Sequence, residues 1–503
     1  MSTLRAAFIL ALACSCAHTA VAAEAIEIGR SGNGDVIRGS LVTAADPAAP
    51  VVLLVGGLNG ADDSAAAVER EVAAFDARSA RRRDVSLIAI PVANPAGTTL
   101  EFPPSGAAYR EHPESHALWR FIGARAPDVV LIAGEDRAGL LAALGTHAPA
   151  SVGKVPARSW SPREPIADLS AADVSTSEAH REIERRLARS PRELAEQLAR
   201  VYGGNFDQPT YIPAVAMLAR LKLGQVDAIR ALAEPYANGS KNSLERPNSL
   251  TMAGHIVFTE LARLTGDERY TALVRKVADL GFDENGQMRE SMPYHNEFSD
   301  SVFMSSTIVA QAGALTGERK YFDLAARHIA FMQRIDLRAD GLYRHQPATD
   351  AAWGRGNAFA AIGVALTLSE FPIDHPARAE LLKSYREHMA VLLRYQTRDG
   401  LWRNVVDQPG AYPEYSATAM IGFAMLRGVN RGWFEDAMPY RDAVKRAWRA
   451  VNARTGSDGG VIDVCESTAR IESLEGYLNR EAILGRDDRG GAMAMLFAVE
   501  LME

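Results

Sequence analysis

Two textures of hydrophobic and polar positions divide this chain. From Glu24 to about Ala199, short continuous apolar runs alternate with segments of helical spacing. Val51–Val55 runs into Gly56-Gly57, Val85–Pro91 leads to Asn94-Pro95, and Val129–Ile132 leads to Gly134. Between them, Ala65–Ala77 and His116–Ala126 have the period of amphipathic helices. Continuous apolar strands alternating with helices predict an α/β layer with a mainly parallel sheet, because such strands are covered on both faces. The Pro- and Ser-rich stretch 149–165 predicts an irregular connection, and a charged helix is expected near Glu178–Arg189.

From about Pro191–Gly204 onward the pattern is helical, and it repeats. Leu264-Thr-Gly-Asp-Glu-Arg-Tyr270 returns as Leu315-Thr-Gly-Glu-Arg-Lys-Tyr321, each an apolar helix stopped by glycine before another begins. A second recurring element is a turn: Asn285-Gly286, Asp340-Gly341, Asp399-Gly400 and Asp458-Gly459, with glycines 55, 59 and 59 residues apart. One helical hairpin with its loops fits that period, and regular recurrence signals stacked units. About 300 residues at this spacing make five or six hairpins, enough for a closed ring of paired helices, with the Asp-Gly turns gathered on one rim. An open solenoid is the alternative.

The length of 503 residues supports this division, since single cores stop growing at roughly 250–300 residues. The expected organisation is therefore a targeting segment at 1–23, an α/β domain at 24–199 and a helical domain at 200–503. In the first segment, Arg5 precedes the apolar Ala6–Ala13, and Ala20-Val21-Ala22-Ala23 offers a small-residue cleavage site. Export to the periplasm or medium is expected. Lipid anchoring at Cys14 or Cys16 is the lesser alternative, because neither has a leucine three residues before it. Cleavage would leave Cys465 alone, so no internal disulfide is expected. No other segment reads as a membrane span. The net charge of −7 is mild, and beyond Arg81-Arg82-Arg83, read as a solvated loop or helix end, no basic face suggests a nucleic-acid partner. Oligomeric state is not legible.

The chemistry gathers between residues 300 and 357. Asp300 stands just before Val302-Phe303-Met304, the start of an apolar helix predicted to continue through Leu315. A lone aspartate there reads as a helix cap whose carboxylate accepts from the first amides. Its company supports a second reading. Asp340-Gly-Leu-Tyr-Arg-His345 adds an imidazole, and Trp353-Gly-Arg-Gly-Asn357 adds an aromatic platform, a carboxylate-binding fork and two glycines that permit close approach. Singly, Trp353 reads as packing and Arg355 as surface charge. Together, on a loop before a helix at Ala358–Leu368, they are the groups that bind and protonate a charged sugar.

In order along the chain, Asp300-Ser-Val-Phe-Met, Gly341-Leu-Tyr-Arg-His, Trp353-Gly-Arg-Gly-Asn, Gly400-Leu-Trp-Arg-Asn-Val-Val-Asp and Glu414-Tyr-Ser-Ala-Thr-Ala resemble the unsaturated rhamnogalacturonyl hydrolases of glycoside hydrolase family 105. These are close to the unsaturated glucuronyl hydrolases of family 88. Tyr477-Leu-Asn-Arg and Asp488-Arg-Gly-Gly extend the match over residues 200–503. The resemblance implies an (α/α)6 barrel that removes a 4,5-unsaturated uronic acid from the non-reducing end of lyase-generated oligosaccharides. A proton reaches C4, water reaches C5, and the resulting hemiketal opens to expel the sugar, so the usual flanking carboxylate pair is not required. It implies Asp300 as general acid/base, His345 and Arg355 on the uronate, Trp353 stacked on the ring and Asn357 on a hydroxyl or its own loop. No metal or organic cofactor is expected. An exposed aspartate is ionised at neutral pH, so the acid role calls for burial or a neighbouring anion.

The chain departs from the family in two places. Ser249 stands where a second aspartate often precedes the glycine at Gly254, and Phe359 replaces a binding tryptophan. Glu414 reads equally as a second carboxylate or as a structural acceptor at a helix start. A glycan-binding protein that keeps the barrel without turnover is thus the competing reading.

In the first domain, Gly56-Gly57-Leu-Asn59-Gly60-Ala-Asp62, Ala93-Asn-Pro-Ala-Gly97 and Pro113-Glu-Ser-His-Ala-Leu118 weakly resemble a zinc carboxypeptidase of the M14 type. Asn59 and Asp62 stand where that family has its first His and Glu ligands, and no histidine follows Val129–Ile132. The resemblance therefore implies a non-catalytic module, with a working zinc peptidase the least favoured function.

Overall fold

The computed structural model describes residues 23–503. The expected targeting segment, with Cys14 and Cys16, lies outside the described residues except for Ala23. Six strands, β1 (Glu24–Arg30), β2 (Val36–Val42), β3 (Val51–Val55), β4 (Ser86–Ile90), β5 (Val129–Ala133) and β6 (Ala157–Trp160), form one sheet in the order β1-β2-β4-β3-β5-β6. The β3–β4, β3–β5 and β5–β6 pairings are parallel, while β1–β2 and β2–β4 are antiparallel. The sheet is therefore mixed. The apolar-run reading found β3, β4 and β5 and passed over β1 and β2, which expose alternate residues such as Glu27 and Arg38.

Alternation sends the residues of the central strands into two cores. Val52, Leu54, Leu87 and Leu131 join Val68 and Phe75 of α1 (Asp63–Asp76) on one face. Leu53, Val55, Ile88, Val130 and Ile132 join Trp119 and Ile122 of α2 (Pro113–Arg125) and Leu140 and Leu144 of α3 (Leu140–Thr146) on the other. This second core does not end with the domain. It continues into Trp353, Val405, Tyr412, Ile462, Cys465 and Tyr477. Of the basic run, Arg83 is buried rather than solvated, donating to the Asp76 and Thr43 carbonyls.

Asn59 and Asp62 serve the local fold. The Asn59 amide donates to the Glu135 carbonyl, and Asp62 caps α1 through the Ser64 amide.

The rest is helical. After α4 (Glu178–Leu187) come α5 (Pro191–Ala199), α6 (Tyr211–Lys222), α7 (Val226–Ala237), α8 (Ser249–Gly254), α9 (Ile256–Thr265) and α10 (Glu268–Ala278). Then follow α11 (Thr307–Thr316), α12 (Arg319–Asp336), α13 (Gly354–Glu370), α14 (Arg378–Tyr395), α15 (Tyr415–Asn430), α16 (Met438–Ala453), α17 (Leu474–Leu478) and α18 (Asp488–Glu500). Helices α6, α9, α11, α13, α15 and α18 each pack on the next, and α18 returns to α6. The ring is closed, which excludes the open solenoid. Helices α7, α10, α12, α14 and α16 pack outside their predecessors, and α5, earliest in sequence, takes the sixth outer place against α18. The inner helices α13 and α15 are buried almost throughout, whereas the outer α12 and α16 bury only one stripe, as their ring positions demand.

The Asp-Gly and Asn-Gly turns all follow outer helices, and Gly286, Gly341, Gly400 and Gly459 all have positive φ, a conformation glycine adopts without strain. Two short ribbons complete that rim: β7 (Trp402–Arg403) with β8 (Pro413–Glu414), and β9 (Val461–Cys465) with β10 (Ala482–Gly485). Among the described residues no helix is long and apolar enough to cross a membrane.

Candidate active site

The chain enters α11 through five residues of π-helix, Val302–Ser306, directly after Asp300. The wide turn lies close against α13, where a Cβ at Gly363 would come within 2.5 Å of the Phe303 amide nitrogen. Single π-turns are frequent where a helix must aim a functional group. Here the turn leaves Asp300 at the head of an inner helix, 6% exposed, with a carboxylate Oδ2 that has no hydrogen-bond partner. The cap reading therefore does not describe this carboxylate.

What faces it is His345. Nε2 of that ring lies 3.4 Å from Asp300 Oδ2 and has no hydrogen-bond partner of its own. Nδ1 lies 2.5 Å from the Tyr477 hydroxyl. Burial, and then the negative charge of Asp300, raise the Tyr477 hydroxyl well above the usual tyrosine range, so it keeps its proton at neutral pH. Donation of that proton to Nδ1 leaves the imidazole proton on Nε2, the nitrogen 3.4 Å from Asp300 Oδ2. Phe298 stacks on the ring with centroids 4.4 Å apart, and Trp353 meets it edge-on at 4.5 Å. An exposed guanidinium, Arg470, lies over Phe298 at 5.5 Å.

A second carboxyl group stands near Asp300, and it is not at the Ser249 position. Asp336, at the end of α12, is fully buried, with neither oxygen hydrogen-bonded. Burial above all, opposed by Arg344 and reinforced by Asp300 and Glu297, pushes its carboxyl up to about 8. It is thus mostly protonated at neutral pH and adds little negative charge beside Asp300. The sequence carried a signal for it: Asp336 continues the buried stripe Ala325-Ile329-Met332 of α12. Ser249 opens α8, which packs on the π-helical turn, and Asn248 caps that helix through the Thr251 amide.

The structure places the remaining candidates around the pair rather than in open space. Trp353-Gly-Arg-Gly-Asn357 is no loop, because α13 already begins at Gly354. Its glycines accommodate protein: a Cβ at Gly354 would meet the Arg403 carbonyl at 2.3 Å, and one at Gly356 would meet Ser299 Oγ at 2.7 Å. Trp353 is buried, its indole N–H on Asn404 and its ring flanked by the guanidinium groups of Arg355 and Arg480. Arg355 is fully buried and donates to the carbonyls of Cys465, Glu466 and Ser467. Asn357 holds both backbone groups of Tyr343 and the Trp353 carbonyl. Phe359 is core, stacked on Phe303 and edge-on to Tyr211. Glu414 caps α15 through Ser416 and Ala417 and also accepts the Cys465 amide. Asp300 and His345 are thus brought together, and the other five support the walls behind them.

Tyr477 was visible only as part of a motif, and Phe298, Asp336 and Arg470 were missed. Phe298 and Arg470 lie in irregular segments without periodicity to mark a side. Among the described residues, no group of three or more His, Cys, Asp or Glu side chains is placed to hold a metal ion.

The fold is a closed ring of six helix pairs with an unbonded carboxylate against an imidazole at one rim. Residues 225–503 match the family model described as Glycosyl Hydrolase Family 88, and the chain belongs to that family. An unsaturated 3S-rhamnoglycuronyl hydrolase from Alteromonas sp. (strain LOR) is 26% identical over 218 residues, covering 39% of this chain and 52% of that protein. The unsaturated rhamnogalacturonyl hydrolase YesR of Bacillus subtilis (strain 168) is 25% identical over 251 residues, covering 46% and 70%. The chain thus spans about half the length of the Alteromonas relative. Two solved structures share the fold. A glycoside hydrolase from family 105 of C. acetobutylicum ATCC 824 superposes with a TM-score of 0.53 at 19% identity, over 61% of this chain and 99% of that one. A possible member of the GH105 family from Salmonella enterica serovar Paratyphi A gives 0.52 at 19%, over 63% and 95%.

Proposed function

We propose that this chain removes a 4,5-unsaturated uronic acid from the non-reducing end of an oligosaccharide, with rhamnose at the leaving position. The observation that carries the reading is the unbonded carboxylate of Asp300 against His345 Nε2. Hydration of an enol ether needs one acid that also serves as base, and this arrangement provides it without a partner carboxylate across the bond. Asp300 delivers a proton to C4 while water adds at C5. Loss of a water proton back to the carboxylate restores the acid; the C5 hemiketal then opens to a C5 ketone and a C1 hemiacetal, whose collapse to an aldehyde breaks the glycosidic bond and releases the sugar. His345 steadies the carboxylate as its charge changes, and Arg470 meets the uronate carboxylate. The names of the Alteromonas and Bacillus relatives support rhamnose as the leaving sugar.

Loss of the conjugated uronate's ultraviolet absorbance tests the activity. Unsaturated uronyl-rhamnose disaccharides should be consumed by wild type and not by Asp300→Asn. Binding of such sugars without any loss of absorbance would instead make the protein a glycan-binding module. We further propose export as the setting, carried by Arg5, Ala6–Ala13 and Ala20–Ala23; a mature chain retaining Met1 would refute it.

A further inference from the structure

The connection between β9 and β10 carries much of what steadies the site. Over residues 466–481 it supplies the Glu466 and Ser467 carbonyls bound by Arg355 and Arg480, the Ile471 carbonyl bound by Gln346, and the Tyr477 hydroxyl on His345. Among the described residues, the two strands at its base form a ribbon with no third strand beside them, an arrangement of little stability on its own.

The brace comes from the first domain. Arg120 of α2 is buried, with Nη1 2.5 Å from Asp463 Oδ1 and Nη2 2.9 Å from the Ala482 carbonyl. One guanidinium therefore ties the strand that enters the connection to the strand that leaves it. Asp463 also accepts from the Tyr109 hydroxyl at 3.2 Å and from Arg454 at 2.9 Å. Its φ of +68° is one that a non-glycine residue holds only when its surroundings over-determine it. Tyr109 stacks on Tyr412 with centroids 4.5 Å apart, and Arg120 lies over the Tyr109 ring. Trp353 and Tyr477 share their core with the first domain's sheet.

We propose that Arg120 is a positioning residue for the barrel's site. Through its fork the first domain clamps the base of the 466–481 connection and so holds Tyr477 on His345. This role rests on the hydrolase reading given above. A lysine is no substitute, because one ammonium does not reproduce a planar fork spanning a carboxylate and a carbonyl.

The test uses the full chain with Arg120→Lys, Arg120→Met, Tyr477→Phe and the double variant Arg120→Met/Tyr477→Phe. It reads kcat and KM on an unsaturated uronyl disaccharide and the nitrogen NMR shifts of the His345 ring. Both Arg120 variants should lose on the order of 10²-fold in kcat, the scale of a displaced catalytic group, with a smaller change in KM. Their His345 shifts should move in the same direction as in Tyr477→Phe, and the double variant should be no slower than Tyr477→Phe alone. Wild-type kcat and ring shifts in either folded Arg120 variant would overturn the proposal, as would fully additive losses. If Arg120→Met fails to fold, Arg120→Lys decides the matter. If wild type hydrolyses no unsaturated uronide, the activity reading fails, while the His345 shifts still decide the clamp.

Discussion

Asp300 and Glu414 hold matching stations in the barrel, each a buried carboxylate at the start of an inner helical segment. Their oxygens differ. Both oxygens of Glu414 accept from the Ser416 hydroxyl, and the Ser416, Ala417 and Cys465 amides add further bonds. Asp300 Oδ2 accepts none and faces an imidazole. Burial and a place at a helix start are therefore not what makes a carboxylate available to substrate. What matters is whether the protein has already occupied its lone pairs, since an occupied acceptor is a cap and a vacant one is chemistry in waiting.

Removing each charge in turn should separate the two most widely. Asp300→Asn should lower kcat/KM by about 10²–10⁴-fold, with the melting temperature unchanged or raised, because an unbonded buried charge is lost. Glu414→Gln should do the reverse, costing about 3 kcal/mol in denaturant unfolding through lost charge-assisted bonds while the folded fraction keeps its kcat. An Asp300→Asn variant with full activity would erase the comparison.

Asp336 sharpens it from a third side. Its carboxyl ordinarily titrates near 3.8 and is raised to about 8 in the fold, so the folded state holds the extra proton between those values. Stability from this group is therefore present below about pH 4 and falls as pH rises toward about 8. Asp336→Asn should flatten that decline and raise stability at pH 8 by a few kcal/mol at most, seen as a higher melting temperature. An unchanged pH–melting profile would mean that Asp336 has a partner in solution. The smallest effect belongs to the exposed cation. Arg470→Ala should raise KM roughly fivefold with kcat little altered, the scale of a solvent-exposed charge contact.

Much of the architecture was legible because periodicity is a local property. Glycine stops at Gly266 and Gly317, the recurrent turns and the continuous apolar runs of β3, β4 and β5 all follow from backbone preference and from which positions water rejects. The site was legible in part. Asp300 and His345 stand in motifs at marked turns, and the fold brings them to 3.4 Å. Arg355 and Trp353 stand in an equally conspicuous motif, yet the fold buries both. Residue type states what a side chain is able to bind. It does not state what is already bound to it.

Sequence alone thus determined the two textures and the helical repeat, and marked Asp300 and His345 as separate candidates, because each of these is encoded in nearest neighbours along the chain. Tertiary structure decided the rest. Closure of the ring required α18 to return to α6, with α5 from the near end of the chain taking the last outer place. Arg120 reaches residues more than three hundred positions away, and Asp336 joins Asp300 only through packing of α12 on the π-helical turn. Hydrogen bonds, burial and charge coupling act through space and are satisfied once. Which partner satisfies each donor and acceptor is settled only when the whole chain is in place.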